Sequence, residues 1–122
     1  MKSYKDLVMW QKAMDLVVSV YRMTASFPKE EQYGLISQMR RCAVSIPSNI
    51  AEGRGRGSRK EFLRFVYIAY ASGSELETQI EIAKRLKFVD DDGVNPLLGS
   101  LTEVMKMLNS SIRSLKLVSD EF

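Results

Sequence analysis

Apolar residues recur at intervals of three and four along most of the chain, which is the spacing of one face of an α-helix. The pattern is carried by four groups: Leu7, Trp10, Met14, Val17 and Tyr21; Ile36, Met39, Ala43, Ile46 and Ile50; Phe62, Val66, Ala69, Gly73, Leu76, Ile80 and Ala83; and Leu98, Leu101, Met105, Leu108, Ile112 and Leu115. No segment alternates with a period of two for long enough to indicate a β-strand. The pattern therefore predicts an all-α protein with four helices.

Capping and breaking residues set the expected limits of these helices. The predicted helices cover residues 4–26, 30–53, 58–88 and 95–119. Three start signals support them: Ser3 with Asp6, Ser58 with Glu61, and Asn95 with Pro96. Because short connections between long helices favour antiparallel neighbours, we expect an up-down four-helix bundle that forms a single domain over residues 1–122.

Pro47 conflicts with the helical pattern of the second segment. It has no N–H to donate to the carbonyl of Ala43, and its ring crowds that carbonyl. The helix therefore either kinks at Pro47 or ends and restarts near Ser48. Because the apolar period continues to Ile50, we expect a kink.

The first and third helices are apolar over more than one face. Residues 7–10 (LVMW), 16–21 (LVVSVY) and 62–71 (FLRFVYIAYA) contain a single charged residue, Arg64. A helix in a monomeric bundle needs one apolar stripe and one wet face. The second apolar face is either covered by a broad core or buried against another copy of the chain. The latter interpretation predicts a homo-oligomer.

Composition narrows the possible chemistry. The 122 residues are 45% hydrophobic and 27% charged, which is typical of one soluble domain. The absence of histidine excludes zinc sites of the Cys/His kind, Ser-His-Asp triads and histidine general bases. The single cysteine, Cys42, is expected to be buried and unreactive, and it fits a cytoplasmic protein. With no signal-peptide pattern and no membrane-length apolar stretch, we expect a cytoplasmic protein that is not an enzyme and has no cofactor, metal or membrane partner.

Positive charge is concentrated between residues 40 and 64. The whole chain carries +3, whereas this window alone carries +5. Its basic residues are Arg40, Arg41, Arg54, Arg56, Arg59, Lys60 and Arg64. Arginines beside glycines, as in GRGRGSRK (53–60), suit contacts with nucleic-acid phosphates. The other interpretation is a solvated turn whose arginines pair with glutamates of neighbouring helices or chains.

Three glutamates on the third helix, Glu75, Glu77 and Glu81, are a weaker candidate for chemistry. A di-iron site of the ferritin kind needs histidine, so it is excluded here in its usual form. We expect the glutamates to pair with Lys84 and Arg85, which follow at helical spacing.

The segment LISQMRRCAVSIPSNIAEGRGRGS (35–58) is similar to the most recognisable part of the 23S rRNA intervening sequence proteins. The family motif SIPSNIAEG is formed here by Ser45, Ile46, Pro47, Ser48, Asn49, Ile50, Ala51, Glu52 and Gly53. Residues 4–28, 30–41 and 58–86 also match family patterns. The resemblance therefore extends over nearly the whole chain.

This resemblance implies a small bacterial helical protein that forms ring-shaped homopentamers. The family resembles the accessory variability proteins of diversity-generating retroelements, which bind nucleic acid and a reverse transcriptase. By that analogy, the nucleic-acid contacts here would be Arg40, Arg41, Arg54, Arg56 and Arg59, with Lys60 beside them. The chain departs from the family at Tyr70, where members commonly have arginine, which would weaken or alter a contact made by that arginine. It also has Cys42 where members usually have alanine.

These observations predict a non-enzymatic, homo-oligomeric helical bundle that contacts RNA or DNA through the basic region between its second and third helices. The arginines would neutralise phosphates and would not read base edges. The alternative is a protein-interaction scaffold, in which the same arginines bind carboxylates of another protein.

Overall fold

The computed structural model describes residues 3–119, so the predicted domain limits at residues 1–2 and 120–122 lie outside the described residues. The described chain forms four α-helices: α1 (Val8–Thr24), α2 (Leu35–Gly55), α3 (Arg59–Arg85) and α4 (Asp91–Ser119). Single 3₁₀ turns at Tyr4–Asp6 and Lys29–Glu31 precede α1 and α2. Within residues 3–119 there is no β-strand, which confirms the all-α prediction.

Each helix packs against the next one along the chain, and α4 also packs against α1. In the diagonal pairs, α1 with α3 and α2 with α4, no described Cα atoms lie within 8 Å of each other. All four helices contribute fully buried side chains to one core, among them Leu16, Ile46, Leu76 and Leu108. This arrangement is a four-helix bundle, while the up-down order of its helices stays a prediction.

The buried face of α1 is not the predicted one. The structure buries the stripe Met9, Ala13, Leu16, Val20 and Thr24. The predicted stripe lies on a neighbouring face, where Met14 is 41% exposed and Tyr21 is 43% exposed. Because α1 is apolar on two faces, periodicity alone does not identify the buried one. The face that was predicted to be buried lies at the surface between α1 and α2. In α2 the predicted stripe from Ile36 to Ile50 is buried throughout.

Three helices begin four or five residues from their predicted starts: α1 at Val8 and not at residue 4, α2 at Leu35 and not at residue 30, and α4 at Asp91 and not at residue 95. α4 begins at Asp91, because Oδ1 of Asp90 accepts a hydrogen bond of 2.9 Å from the backbone N–H of Gly93. The predicted start at Asn95 was therefore wrong, and Pro96 lies in the second turn. α2 begins at Leu35, whose backbone N–H donates to Oε1 of Glu31 over 3.2 Å.

Helix α2 continues through Pro47 from Leu35 to Gly55. This continuity excludes the interpretation in which the helix ends and restarts near Ser48. Pro47 is buried and faces α1, where it lines an apolar groove together with Trp10 and Val17. The kink at Pro47 stays a prediction.

Candidate nucleic-acid interface

The turn from α2 to α3 holds the glycine-separated arginines at one corner of the bundle. Helix α2 ends at Gly55 with Arg56 as its C-cap, and Gly57 follows with a φ of +77°, a left-handed conformation that favours glycine. Ser58 then caps α3, since its Oγ accepts a hydrogen bond of 3.1 Å from the backbone N–H of Glu61. Only residues 56–58 therefore separate the two helices, and the end of α2 lies beside the start of α3.

Two phenylalanines at this corner support the arginine side chains. The guanidinium of Arg56 lies 5.0 Å from the ring centre of Phe65, and that of Arg64 lies 4.8 Å from the same ring. Arg54 lies 6.0 Å from the ring centre of Phe62. Such contacts attract a cation to the face of an aromatic ring and restrict its orientation. The arginines therefore rest on the bundle surface instead of extending freely into solvent.

Two glutamates neutralise part of this corner. Glu52 lies 3.5 Å from Arg56, and Glu61 lies 3.1 Å from Arg64, each one helical turn away. All four side chains of these two pairs are exposed, so the pairs add little to stability. The basic residues of the corner outnumber these two glutamates, because Arg54, Arg59 and Lys60 are also exposed there. We refer to Arg54, Arg56, Arg59, Lys60 and Arg64 as the basic corner.

Arg40 and Arg41 do not join the basic corner. They precede Arg54 by more than three helical turns, which separates them by about 20 Å along α2 at 1.5 Å per residue. Arg40 is instead tied to the end of α1. Its Nε donates to Oγ1 of Thr24 over 3.0 Å, its Nη2 donates to the carbonyl of Tyr21 over 3.2 Å, and its guanidinium lies 4.5 Å from the centre of the Tyr21 ring. Arg41 is exposed.

Most of the family motif serves the packing of α2 on its neighbours. Ile46 and Ile50 are fully buried in the core, and Gly53 is buried where α2 meets α3. Oγ of Ser45 lies 2.9 Å from Oγ of Ser72 on α3. Nδ2 of Asn49 donates to the carbonyl oxygen of Ser45 over 2.7 Å and to its Oγ over 2.9 Å.

The remaining motif residues are less enclosed. Pro47 is buried against α1, Ala51 is half-buried, and Ser48 and Glu52 are exposed. The structure therefore accounts for the motif mainly as a packing device. The sequence analysis identified the motif but did not predict that its residues pack α2 against its neighbours.

The glutamates of α3 are paired only in part as predicted. Arg85 and Glu81 form the expected pair, with Nε and Oε1 3.2 Å apart. Lys84 pairs instead with Asp91 at the start of α4, over 3.4 Å. Within residues 3–119, no group of three or more acidic or cysteine side chains is placed to hold a metal ion.

Cys42 is 7% exposed and lies between α2 and α3. Burial and, after it, the carboxylate of Glu75 together raise the pKa of its thiol to about 12, whereas the Gln79 side chain acts in the opposite direction. A thiol in this state is a poor nucleophile at neutral pH. The expectation of a buried cysteine is therefore confirmed.

Tyr70, where the sequence was expected to depart from the family pattern, is half-buried and packs against the core. The apolar ring thus contributes to packing from a position where an arginine would present a charge. None of the helices described is apolar over the length that a lipid bilayer requires.

The fold and the corner define a class of protein: a small four-helix bundle with arginines grouped on aromatic rings where its second and third helices join. Residues 5–110 match the family model of the 23S rRNA-intervening sequence protein. The chain belongs to this family.

A solved structure shows the same fold. It is a protein of unknown function from the S23 ribosomal protein family of Bacteroides thetaiotaomicron, which is similar to this chain with a TM-score of 0.77 and 24% sequence identity. The similarity covers 86% of this chain and 98% of that one. No curated protein matches the sequence significantly.

Proposed function

We propose that this protein binds the sugar-phosphate backbone of RNA or DNA through the basic corner, as a homo-oligomer and without enzymatic activity. The observation that carries the proposal is the stacking of Arg54, Arg56 and Arg64 on Phe62 and Phe65. A stacked guanidinium keeps its N–H edge available for phosphate oxygens while its orientation is already restricted. Less side-chain entropy is then lost on binding.

Arg40 is left out of the proposed contacts, because its Nε and Nη2 already donate to α1. Arg41 stays a secondary candidate, since it is exposed but far along α2 from the corner. Backbone contacts of this kind carry no base information, so the proposed binding is independent of sequence.

Two unlike apolar faces on opposite sides of the bundle support a ring of identical chains. On the α1–α2 side, Met14, Val18 and Val44 are 39–46% exposed. On the α3–α4 side, a groove of about 670 Å³ has Ile82 and Leu98 in its lining and Glu77 and Glu81 beside them. Unlike faces that meet head to tail produce a closed ring when the rotation closes. The resemblance to the family suggests five copies.

A ring would repeat the basic corner once per chain. Contacts that are weak in one copy then act together, because each later contact is intramolecular once the first has formed. Light scattering should therefore detect a discrete species several times the mass of the 13.9 kDa chain. Met14→Glu and Ile82→Glu should each reduce that mass, whereas Leu117→Glu, at a position 71% exposed on α4, should leave it unchanged.

A charge-matched pair of triple variants tests the interface. R54A/R56A/R59A removes three cations from the basic corner, and K106A/R113A/K116A removes three exposed cations from α4. We expect the first variant to weaken binding to an RNA or DNA oligonucleotide much more than the second at equal ionic strength. Equal losses would indicate attraction to net charge alone. If the wild-type protein binds no nucleic acid at low salt, the arginines instead serve a protein partner.

A further inference from the structure

An exposed apolar patch on α3 adjoins the basic corner. It consists of Tyr67, Ile68 and Ala71, of which Tyr67 is 44% and Ile68 is 37% exposed. Within residues 3–119 the Tyr67 side chain makes no hydrogen bond and no contact with another ring. None of the three residues belongs to the core or to the faces proposed above for ring assembly. An exposed apolar patch of this kind marks a surface for a partner.

The patch continues a line of cations along the outer face of α3. Lys60, Arg64, Tyr67 and Ala71 follow one another at intervals of four, three and four, so they lie on one face of the helix. All four are exposed, and none of them is acidic. The Cβ atoms of residues three apart on a helix are about 5–6 Å from each other, so Arg64 and Tyr67 lie side by side. A ligand that contacts both must have an anionic group next to a planar apolar one.

Arg64 keeps donors for such an anion although it is paired with a glutamate. Only its Nε donates to Oε2 of Glu61, over 3.1 Å, and no described group accepts from its two Nη atoms. Its guanidinium is held 4.8 Å from the ring centre of Phe65. The Nη edge is the part of a guanidinium that suits phosphate oxygens. The basic corner therefore offers a phosphate contact one helical turn from the exposed ring of Tyr67.

We propose that the basic corner and this patch together bind single-stranded nucleic acid, with a base stacked on Tyr67 and the adjoining phosphate on Arg64. The inference rests on the proposed function and narrows its substrate class. In a duplex each base is already stacked between its neighbours, so Tyr67 has no base face to contact there. Unpaired bases stack on aromatic side chains with little dependence on sequence. Single strands of RNA and of DNA share this chemistry, and the proposal covers both.

Three ligands of equal length distinguish base stacking from attraction to charge. They are an unstructured single strand of mixed sequence, the duplex formed with its complement, and a strand made of abasic sites. Because the duplex has the highest charge density, phosphate contacts alone would favour it. We expect the single strand to bind about tenfold more tightly than the abasic strand, and more tightly than the duplex, at equal salt concentration. A single strand of RNA should likewise bind more tightly than its own duplex.

Matched variants locate the stacking site. Tyr67→Leu should weaken single-strand binding by about tenfold at every salt concentration and leave the salt dependence unchanged, because it removes a base contact and no phosphate contact. Tyr67→Phe keeps the ring and should keep most of the affinity. The control is Tyr33→Leu, at a position 92% exposed before the opposite end of α2, which should not change binding. Both tyrosines are exposed, so each variant should melt close to the wild type.

The outcomes separate this proposal from the proposed function. The stacking proposal is overturned if the single strand binds no more tightly than the abasic strand or the duplex, or if Tyr67→Leu and Tyr33→Leu behave alike. If R54A/R56A/R59A still weakens binding in that case, the proposed function stands and only the contact with Tyr67 is wrong. A wild-type protein that binds none of the three ligands at low salt overturns both.

Discussion

Gly53 of α2 lies so close to Phe65 of α3 that a Cβ atom placed on the glycine would stand 2.5 Å from the Cβ of Phe65. Real Cβ atoms do not approach side chains this closely, so the position accepts only glycine unless the helices move apart. The guanidinium groups of Arg56 and Arg64 both contact the ring of this same Phe65. The crossing of α2 and α3 at Gly53 therefore also sets the position of the basic corner.

Gly53→Ala should destabilise the protein by about 1–3 kcal/mol, because the added methyl group forces α2 away from Phe65. Gly55→Ala is the matched control, since a Cβ there meets no atom within 4 Å. Alanine favours the helix over glycine, so this second variant should be neutral or slightly stabilised. Denaturant unfolding measures both, and equal stabilities would contradict the close crossing.

Replacing Arg40 by alanine should lower the stability of the protein much more than replacing Arg41. Arg40→Ala removes hydrogen bonds to Thr24 and Tyr21 and should cost about 1–3 kcal/mol. Arg41→Ala removes an exposed side chain and should change stability by less than about 0.5 kcal/mol. Thermal unfolding of the two variants checks the assignment. If Arg41→Ala is the more damaging change, Arg40 does not anchor α1.

Lys87, two residues beyond the end of α3, has a φ of 63°, a left-handed conformation that is unfavourable for a residue with a Cβ. The backbone N–H groups of Lys87 and Phe88 donate to the carbonyls of Lys84 and Ala83, as in a Schellman motif, where glycine is preferred. Lys87→Gly should therefore raise stability by up to about 1 kcal/mol. Lys87→Ala keeps the strain and should not raise it. A loss of stability in the glycine variant would contradict this account.

The Cys42 thiol should make stability depend on pH above neutrality. Its pKa is about 12 in the folded protein against a usual value of 9.0, so the folded state holds the proton over a range where the unfolded state releases it. The contribution is complete below pH 9 and declines as the pH rises toward about 12, by about 1.4 kcal/mol per pH unit. Cys42→Ala should flatten this decline. Parallel curves for the wild type and the variant would contradict it.

The bundle could be predicted because most local signals agree with it. In α2 the predicted stripe from Ile36 to Ile50 is buried, in α3 the predicted stripe is buried from Val66 to Ala83, and Ser58 caps α3 where expected. In α1 two apolar stripes compete, and only contact with α2 and α4 decides that Leu16 and Val20 face the core. In α4 the Asn95–Pro96 signal was outweighed by Asp90, which caps the helix five residues before the predicted cap, Asn95.

The candidate site could be predicted only as a set of charges. The sequence analysis assigned Arg40 and Arg41 to the same interface as Arg54 and Arg56, because all four arginines lie in one basic stretch of the chain. Only the length of α2 between them shows that they are far apart. The sequence analysis did not predict that the Phe65 ring would contact Arg56 and Arg64, because an apolar residue at helical spacing is expected to be part of the core. Stacking between residues of two helices depends on how those helices cross, and periodicity does not contain that information.

The salt dependence of nucleic-acid binding tests the central claim most directly. For the wild-type protein and an oligonucleotide of mixed sequence, the logarithm of the binding constant should fall linearly with the logarithm of salt concentration. The slope should be about −0.7 per phosphate contacted for single strands and about −0.9 for duplexes, and R54A/R56A/R59A should make it less steep for every sequence by a similar amount. A wild-type protein that binds no nucleic acid at low salt, or one whose slope is unchanged in this variant, would contradict the account.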